Sequence, residues 1–309
     1  SLVSILVYAV LANNVKMTKQ ICERIDKIYP VKEDEMRIQL LESRIPSHGP
    51  VAKQVQRLGM RPGINTLHFA MFFSSTEIVK LLLSYGVNPK SLSIPDSLDA
   101  VICASISGNV ECLKYFLKQY PNWDMNRQLK MTGAKALHCA VLLGANKLDV
   151  VKLLIENGAS PDVLSNSGSS VLTNAVENVD SGPDLIEYLL KRVSKNRGVH
   201  YRQAAKTTKF QVAMKLSVVL TRMGQFKHHA RMSYVAHRSG RTALHCAMRN
   251  GDVEIIEILL SEGANLNVKD NLGMTPIDYA EKIPEIRGTV IKLARVSCMN
   301  QTRNVSKRR

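Results

Sequence analysis

The sequence of 309 residues lacks the short motifs that usually carry enzyme chemistry. It contains no G-x-S-x-G, no phosphate-binding G-x-x-x-x-G-K-[ST], no H-E-x-x-H and no cysteines at zinc-type spacing. Adjacent His228 and His229, with His237, fit a solvated basic loop better than a metal site. We therefore predict a non-enzymatic protein that needs no cofactor and no metal.

Long apolar runs are also lacking. The opening "SLVSILVYAVLA" is apolar, but about a dozen residues are too few to span a bilayer. It has no basic n-region, so no signal peptide and no transmembrane segment is predicted. Six cysteines without a C-x-x-C pair favour a reduced protein of the cytoplasm or the nucleus. The chain does not begin with methionine, which suggests a fragment or a processed product.

Acidic residues are lacking in one long stretch. From Tyr188 to Gly251 there are fourteen Lys or Arg and no Asp or Glu, in a chain of net charge +16. Three interpretations stay open: a docking surface for an acidic protein, a site for nucleic acid or phosphate, and a solvated face without a partner. Few aromatic residues occur among these basic residues, so the stretch gives only a weak indication of stacking on nucleic-acid bases. The candidate basic surface consists of Arg202, Lys206, Lys209, Lys227 and Arg231.

What the sequence does contain is an internal repeat. A buried-type alanine recurs with spacings of 34, 36, 35, 72 and 33, at Ala70, Ala104, Ala140, Ala175, Ala247 and Ala280. Each is followed by a second apolar segment, which predicts a short helix, a tight turn and a longer amphipathic helix. Gly86, Gly158 and Gly263 come where the second helix must end in a left-handed conformation. The spacing of 72 predicts one further, poorly matched unit.

"GRTALHCAMRNGDVEIIEILLSEGANLNVKDNLGMTP" resembles an ankyrin repeat along its whole length. The resemblance implies an all-α, ankyrin-like solenoid of about seven or eight helix–turn–helix units with short hairpin loops. Residues 1–25 are predicted to form an N-terminal unit, 26–62 an insertion and 63–193 the main repeats. The remaining predictions are a basic insertion or degenerate repeat at 194–237, a repeat and C-terminal cap at 238–296, and a basic tail at 297–309.

The resemblance also gives the repeated histidines His68, His138 and His245 a structural role. In ankyrin repeats the matching residue begins the first helix and bonds to neighbouring backbone, so its chemistry is polar satisfaction and not proton transfer. The neighbouring Cys139 and Cys246 suit a packed position as small apolar thiols.

In the family pattern, two positions of each first helix face a concave groove. We predict groove contacts with protein partners at Phe72, Phe73, Ile106, Leu142, Leu143, Arg249 and Asn250. The groove would change from apolar to basic along the chain. An alternative is that "EDEMRIQLLESRI", within the 26–62 insertion, covers the apolar part.

The predicted function is therefore a protein-interaction scaffold or regulatory module, with partners that carry an acidic surface. One alternative is nucleic-acid or phosphate binding through the basic residues between positions 188 and 251. Another is the recognition region of a larger enzyme or channel. Ankyrin arrays serve many unrelated proteins, so the resemblance does not choose among these.

Overall fold

In the computed structural model of the protein, the residues described are 2–42, 44, 63–94, 97–145, 147–222, 238–284, 288 and 292–293. They form helices and loops, and the described residues contain no β-strand, only an isolated bridge between Leu164 and Ser170. The predicted all-α fold of helix–turn–helix units is thereby confirmed. The chain divides into two compact units. Unit 1 comprises Ser1–Met131 and Lys135–Ala159, and unit 2 comprises Thr132–Ala134 and Ser160–Arg309.

The described residues of unit 1 form four helix pairs and one additional helix. The helices are α1 (Leu2–Leu11), α2 (Val15–Ile28), α3 (Glu35–Leu41), α4 (Thr66–Phe73), α5 (Thr76–Ser84), α6 (Ala100–Ser107), α7 (Val110–Gln119), α8 (Ala136–Leu143) and α9 (Lys147–Glu156). The first helices α1, α4, α6 and α8 pack side by side, and α2, α5, α7 and α9 pack in the same order behind them. Each pair therefore contacts mainly its neighbours, as expected of a stacked repeat.

Unit 2 contains α10 (Val171–Glu177), α11 (Pro183–Leu190), α12 (Thr208–Arg222), α13 (Ala243–Asn250), α14 (Val253–Ser261) and α15 (Pro276–Ala280). Here α10 packs directly on α13 and α13 on α15, while α11 packs on α14. Helix α12 does not belong to this stack of pairs.

The recurrent residues form the core of each unit. Each register alanine, from Ala70 to Ala280, is at most 1% exposed. Gly86, Gly158 and Gly263 have φ angles of 90°, 95° and 84°, which confirms that they end their helices in the left-handed region. The local sequence thus determines how the first helix packs, through its buried alanine, and where the second helix ends, through its glycine.

The spacing of 72 has a different cause from the predicted extra unit. At two repeat loops an N–H bonds a carbonyl four residues on: Asp270 to Met274 at 2.8 Å and Ser165 to Ser169 at 3.1 Å. Gln203 makes the equivalent bond to Arg241 at 2.9 Å. The first two bonds enclose three residues, whereas the third encloses the 37 residues 204–240.

The inserted stretch therefore occupies the tip of one hairpin loop. Gly168, with φ of 74°, supports this register, since an added Cβ there would lie 1.8 Å from the carbonyl oxygen of Ala204. Gly240 lies against Asn271 in the same manner. Of the two predictions for 194–237, a basic insertion or a degenerate repeat that includes "AAKTTKFQVAMKLSVVLTRMG", the described residues favour the insertion, because α10 and α11 stack on α13 and α14.

The first insertion is described only in part. Helix α3 packs on α1 and α2, and the Arg37 guanidinium bonds Asp26 and the Tyr85 carbonyl, both at 2.8 Å. The Glu42 carboxylate accepts from the Ser91 hydroxyl at 2.7 Å and from the Asn88 N–H at 3.1 Å. Helix α3 thereby links the first helix pair to the loop that follows α5.

Candidate functional site

The repeated histidines lie buried at the start of the first helices. The Nδ1 of His68 accepts the Asn65 N–H at 3.1 Å, and its Nε2 lies 3.2 Å from the Ser91 carbonyl oxygen. Burial lowers the pKa of His68 to about 4, so the ring is neutral at pH 7. A neutral ring that bridges two backbone groups is suited to join one loop to the next.

His138 and His245 repeat this arrangement in the two units. The His138 Nδ1 accepts the Lys135 N–H at 3.2 Å. The His245 Nδ1 accepts the Thr242 N–H at 3.0 Å, and its Nε2 lies 3.2 Å from the Met274 carbonyl oxygen. Burial lowers the pKa of His245 as well. Each of these three rings thus accepts a backbone N–H at the start of its helix.

The cysteines beside the histidines are buried and free. Burial raises the pKa of the Cys139 thiol to about 12 and raises that of Cys246 in the same direction. Among the described residues no group of three or more His, Cys, Asp or Glu can hold a metal ion. His228, His229 and His237 lie outside the described residues.

The predicted apolar groove residues lie on the first helices of unit 1. Phe73 on α4 and Leu143 on α8 are exposed, at 40% and 65%, although both are large and apolar. Phe72 on α4, Ile106 on α6 and Leu142 on α8 are partly exposed. Phe73 stacks on Phe72 with ring centroids 5.6 Å apart. We call these five residues the apolar patch.

The described part of the first insertion does not lie over this patch. Helix α3 reaches α4 at its first residue, where the Thr66 hydroxyl donates to the Leu41 carbonyl. Phe73 is the last residue of α4, seven residues further along the helix. Residues 45–62, which hold the end of the segment expected to cover the patch, lie outside the described residues.

In unit 2 the equivalent positions form an ion-pair network. The Glu177 carboxylate, only 6% exposed, lies 2.6 Å from the Arg241 guanidinium, 3.1 Å from that of Arg238 and 3.4 Å from that of Arg249. The Asn250 amide donates to the carbonyls of Val176 and Glu177, at 2.9 Å and 3.2 Å. Arg249 and Asn250, predicted as groove contacts, thus join α13 to α10, and their contact with a partner stays a prediction.

This network also fastens the returning end of the inserted stretch. Arg238 and Arg241 stand at that end of the stretch, and the Arg238 guanidinium bonds Ser169 and Asn174 in addition to Glu177. The sequence pattern does not single out these arginines, because nothing local distinguishes them from the other basic residues around them. A partner for them exists only once α10 packs on α13.

The outgoing end of the inserted stretch is fastened by polar side chains. The Tyr201 hydroxyl donates to the Gly168 carbonyl at 2.6 Å, and the Gln203 amide to the Ser169 hydroxyl at 2.8 Å. The Arg202 guanidinium, placed in the predicted basic surface, bonds the carbonyls of Gly240 and Lys269 at 3.2 Å and 2.8 Å. The inserted stretch thus leaves and rejoins the stack through bonded residues at both ends.

The predicted basic surface is only partly brought together. Arg202, Lys206 and Lys209 are exposed and lie at the start of the inserted stretch, whereas Lys227 and Arg231 lie outside the described residues. Helix α12 and the neighbouring loop tips line a cleft of about 380 Å³, with Arg202 and Lys215 among its walls. None of the described helices combines the length and the apolar character needed to cross a bilayer.

Comparison with known proteins agrees with the fold. The profile for "Ankyrin repeats (3 copies)" matches residues 67–165 and 102–199, and that for "Ankyrin repeat" matches residues 239–271. The crystal structure of the Bcl-3 ankyrin repeat domain, a member of the IkappaB family, aligns with a TM-score of 0.54 at 20% identity. That alignment covers 89% of this chain and 93% of the Bcl-3 chain.

Two curated relatives are similar over about half of the chain. The mitochondrial disaggregase of Bos taurus is 31% identical over 154 residues, which are 50% of this chain and 21% of the relative. The B-cell lymphoma 3 protein homolog of Mus musculus is 26% identical over 182 residues, 59% of this chain and 39% of the relative. The chain thus spans well under half the length of either relative. Repeat pattern, helix pairs and matching profiles together show that the chain belongs to the ankyrin-repeat family.

Proposed function

We propose that this chain is a non-enzymatic protein-interaction module whose unit 1 binds a partner protein through the apolar patch. The observation that carries the proposal is the exposure of Phe73 and Leu143 on helices whose other faces are packed. Water-exposed aromatic and aliphatic side chains that cluster on one surface usually mark an interaction site.

The rigidity of the helices that carry the apolar patch also supports the proposal. Phe73 and Leu143 belong to α4 and α8, and α6 packs against both of these helices. A partner that docks on packed helices orders little additional backbone, so less of the contact free energy is lost as entropy. Apolar contacts on such a surface favour a protein segment over a polyanion.

The proposal is tested by capture of partners from lysate with the full chain, with and without nuclease. We expect Phe73→Asp with Leu143→Asp to lose the captured protein while circular dichroism stays unchanged. The matched control is Val31→Asp with Ile94→Asp, which places the same charge at exposed apolar residues in loops of unit 1. Capture that survives the first pair of substitutions, or fails equally with the control pair, contradicts the patch as the binding site.

A second candidate function is nucleic-acid or phosphate binding by the basic residues. It is favoured by Lys206 and Lys209, which are exposed and make no ion pair within the described part of the chain. Neutralised phosphates would make the affinity fall steeply as salt rises, whereas binding at the apolar patch would change little. Loss of the captured material on nuclease treatment would favour this candidate.

The chain also fits a recognition region within a longer protein, because it spans 21% of the bovine relative and 39% of the mouse relative. Sequencing of the complete transcript tests this. The cytoplasmic or nuclear location stays a prediction that rests on reduced cysteines, and imaging of the full-length tagged protein tests it.

A further inference from the structure

The hairpin-tip insertion, residues 204–239, presents a surface that the repeats do not use. It replaces a loop tip that elsewhere has two residues in the same register, Asn271 and Leu272. Both of its ends are bonded to the stack, through Tyr201 and Gln203 on one side and Arg238 and Arg241 on the other. A helix carried on such a base is held at a defined place on unit 2.

Helix α12 has an exposed apolar face. Val212, Leu216 and Val219 are 58%, 51% and 52% exposed. Their spacing of four and three residues puts them on one side of the helix, along about 10 Å of its length. Met214, Ser217 and Val218 lie on the other side and are buried. The exposed stripe is therefore additional to the face that packs.

Positive charge borders the stripe. Lys215 stands three residues after Val212 and four before Val219, and Lys209 stands three residues before Val212. Both lysines are exposed, and neither makes an ion pair within the described residues. No Asp or Glu occurs in the sequence from Tyr188 to Gly251, so no residue of α12 or its flanks supplies a negative charge.

We infer that this face of α12 docks an acidic amphipathic helix of a partner protein. An aliphatic stripe on that helix would cover Val212, Leu216 and Val219, and carboxylates beside it would face Lys209 and Lys215. The inference rests on the proposed interaction function and adds a second surface with its own partner chemistry.

Two other polyanions fit the face less well. Nucleic acid would pair with the lysines but would leave three aliphatic side chains in contact with water or phosphate. It would also find no aromatic residue for stacking on the exposed stripe. An anionic membrane surface favours Trp, Phe and several Leu on the buried side of a helix, and this stripe offers two Val and one Leu.

The test uses the full chain and a labelled synthetic helix with a Leu stripe flanked by Glu. The second probe has Lys in place of Glu, and the others are a single-stranded oligonucleotide and vesicles with phosphatidylserine. We expect the acidic helix to bind at least about tenfold more tightly than the basic one, with affinity that falls as salt rises.

Two variants separate the stripe from its charges. One is a triple serine variant, Val212→Ser with Leu216→Ser and Val219→Ser, which removes the apolar stripe and keeps the lysines. The other is a charge-reversal variant, Lys209→Glu with Lys215→Glu, which keeps the stripe. Each is expected to weaken binding of the acidic helix by about tenfold or more. The matched control, Lys118→Glu with Lys130→Glu, reverses two exposed lysines of unit 1 and should leave binding unchanged.

The inference is overturned if the serine variant binds as the wild type, or if oligonucleotide or vesicles depend on the stripe as strongly as the acidic helix does. It is also overturned if the serine variant only lowers the melting temperature, because the stripe is then covered by the chain itself. Should the serine variant misfold, the Lys209→Ala and Lys215→Ala variant carries the charge test. The Phe73 and Leu143 pair is unaffected by these outcomes, so failure here leaves the proposed function standing, and failure of both disproves both.

Discussion

In unit 1 the second and third positions after the register alanine carry Phe72–Phe73 and Leu142–Leu143, whereas in unit 2 they carry Glu177–Asn178 and Arg249–Asn250. The apolar side chains of unit 1 leave two large residues exposed to solvent. The charged side chains of unit 2 bind one another and join α10 to α13. The same helical position is thus exposed to solvent in unit 1 and forms bonds between helices in unit 2.

A second difference lies in the loop tips. The described loops of unit 1 connect one helix pair to the next without a helix between α5 and α6 or between α7 and α8. In unit 2 one tip carries α12. Since an inserted helix at a loop tip does not interrupt the stacking of helix pairs, the repeat tolerates new surfaces at that position. Experiments can test whether the stability of unit 2 depends on the ion-pair network of Glu177 and not on the inserted stretch.

Removal of the Glu177 carboxylate should have the largest effect. In Glu177→Gln three guanidiniums would share no carboxylate, and Arg241 is only 2% exposed. We expect the free energy of unfolding of unit 2 to fall by about 3–5 kcal/mol. Chemical denaturation, with hydrogen exchange of α10 and α13, measures this. The control Glu187→Gln removes an exposed ion pair with Lys191 and should cost less than about 1 kcal/mol. Equal losses of stability in Glu177→Gln and Glu187→Gln would show that the ion-pair network does not stabilise the packing of α10 on α13.

Acid should weaken unit 1 through the buried His68. The pKa of His68 is lowered from 6.5 to about 4, so the unfolded state binds a proton that the folded state refuses between those values. Stability is then complete above pH 6.5 and is lost as the pH falls toward 4, by about 2 kcal/mol at pH 5.

The measurement compares unfolding of the wild type and of His68→Asn between pH 7 and pH 4.5. The difference between the two curves should shrink toward acid pH, because Asn binds no proton. Parallel curves would mean that His68 is protonated as readily in the fold as outside it.

Replacement of residues 204–239 by Asn-Leu, the tip found at Asn271–Leu272, should have the smallest effect. The pairing of Gln203 with Arg241 would then close a short loop, and unfolding of α13 and α14 should change by no more than about 1 kcal/mol. Hydrogen exchange of the two helices checks this. A loss of their protection would restore the idea of a stacked unit within the inserted stretch.

Much of the fold could be predicted because its signals are local. The register alanines, the glycines at the ends of the second helices and the histidines at the starts of the first helices recur at fixed spacing, and each acts within one helix pair. The exposed faces of α4 and α8 followed from the same register. The site residues on them stay a prediction until binding is measured.

The spacing of 72 could not be interpreted in this way. An inserted stretch of 34 extra residues is almost one repeat long, so periodicity alone suggested another unit. The described part of the stretch holds a helix of 15 residues with an aliphatic stripe at positions 212, 216 and 219, which is longer than the first helix of a repeat. The regular spacing of the alanines nevertheless favoured an additional repeat.

Local sequence accounts for the helix pair, its caps and its buried register, because hydrophobic periodicity and left-handed glycines act over a few residues. The pairing of Gln203 with Arg241 and the contact of Glu177 with three arginines arise only in the folded chain. Those outcomes depend on which segments meet across 38 or more residues of chain, and packing selects them by burial and charge pairing.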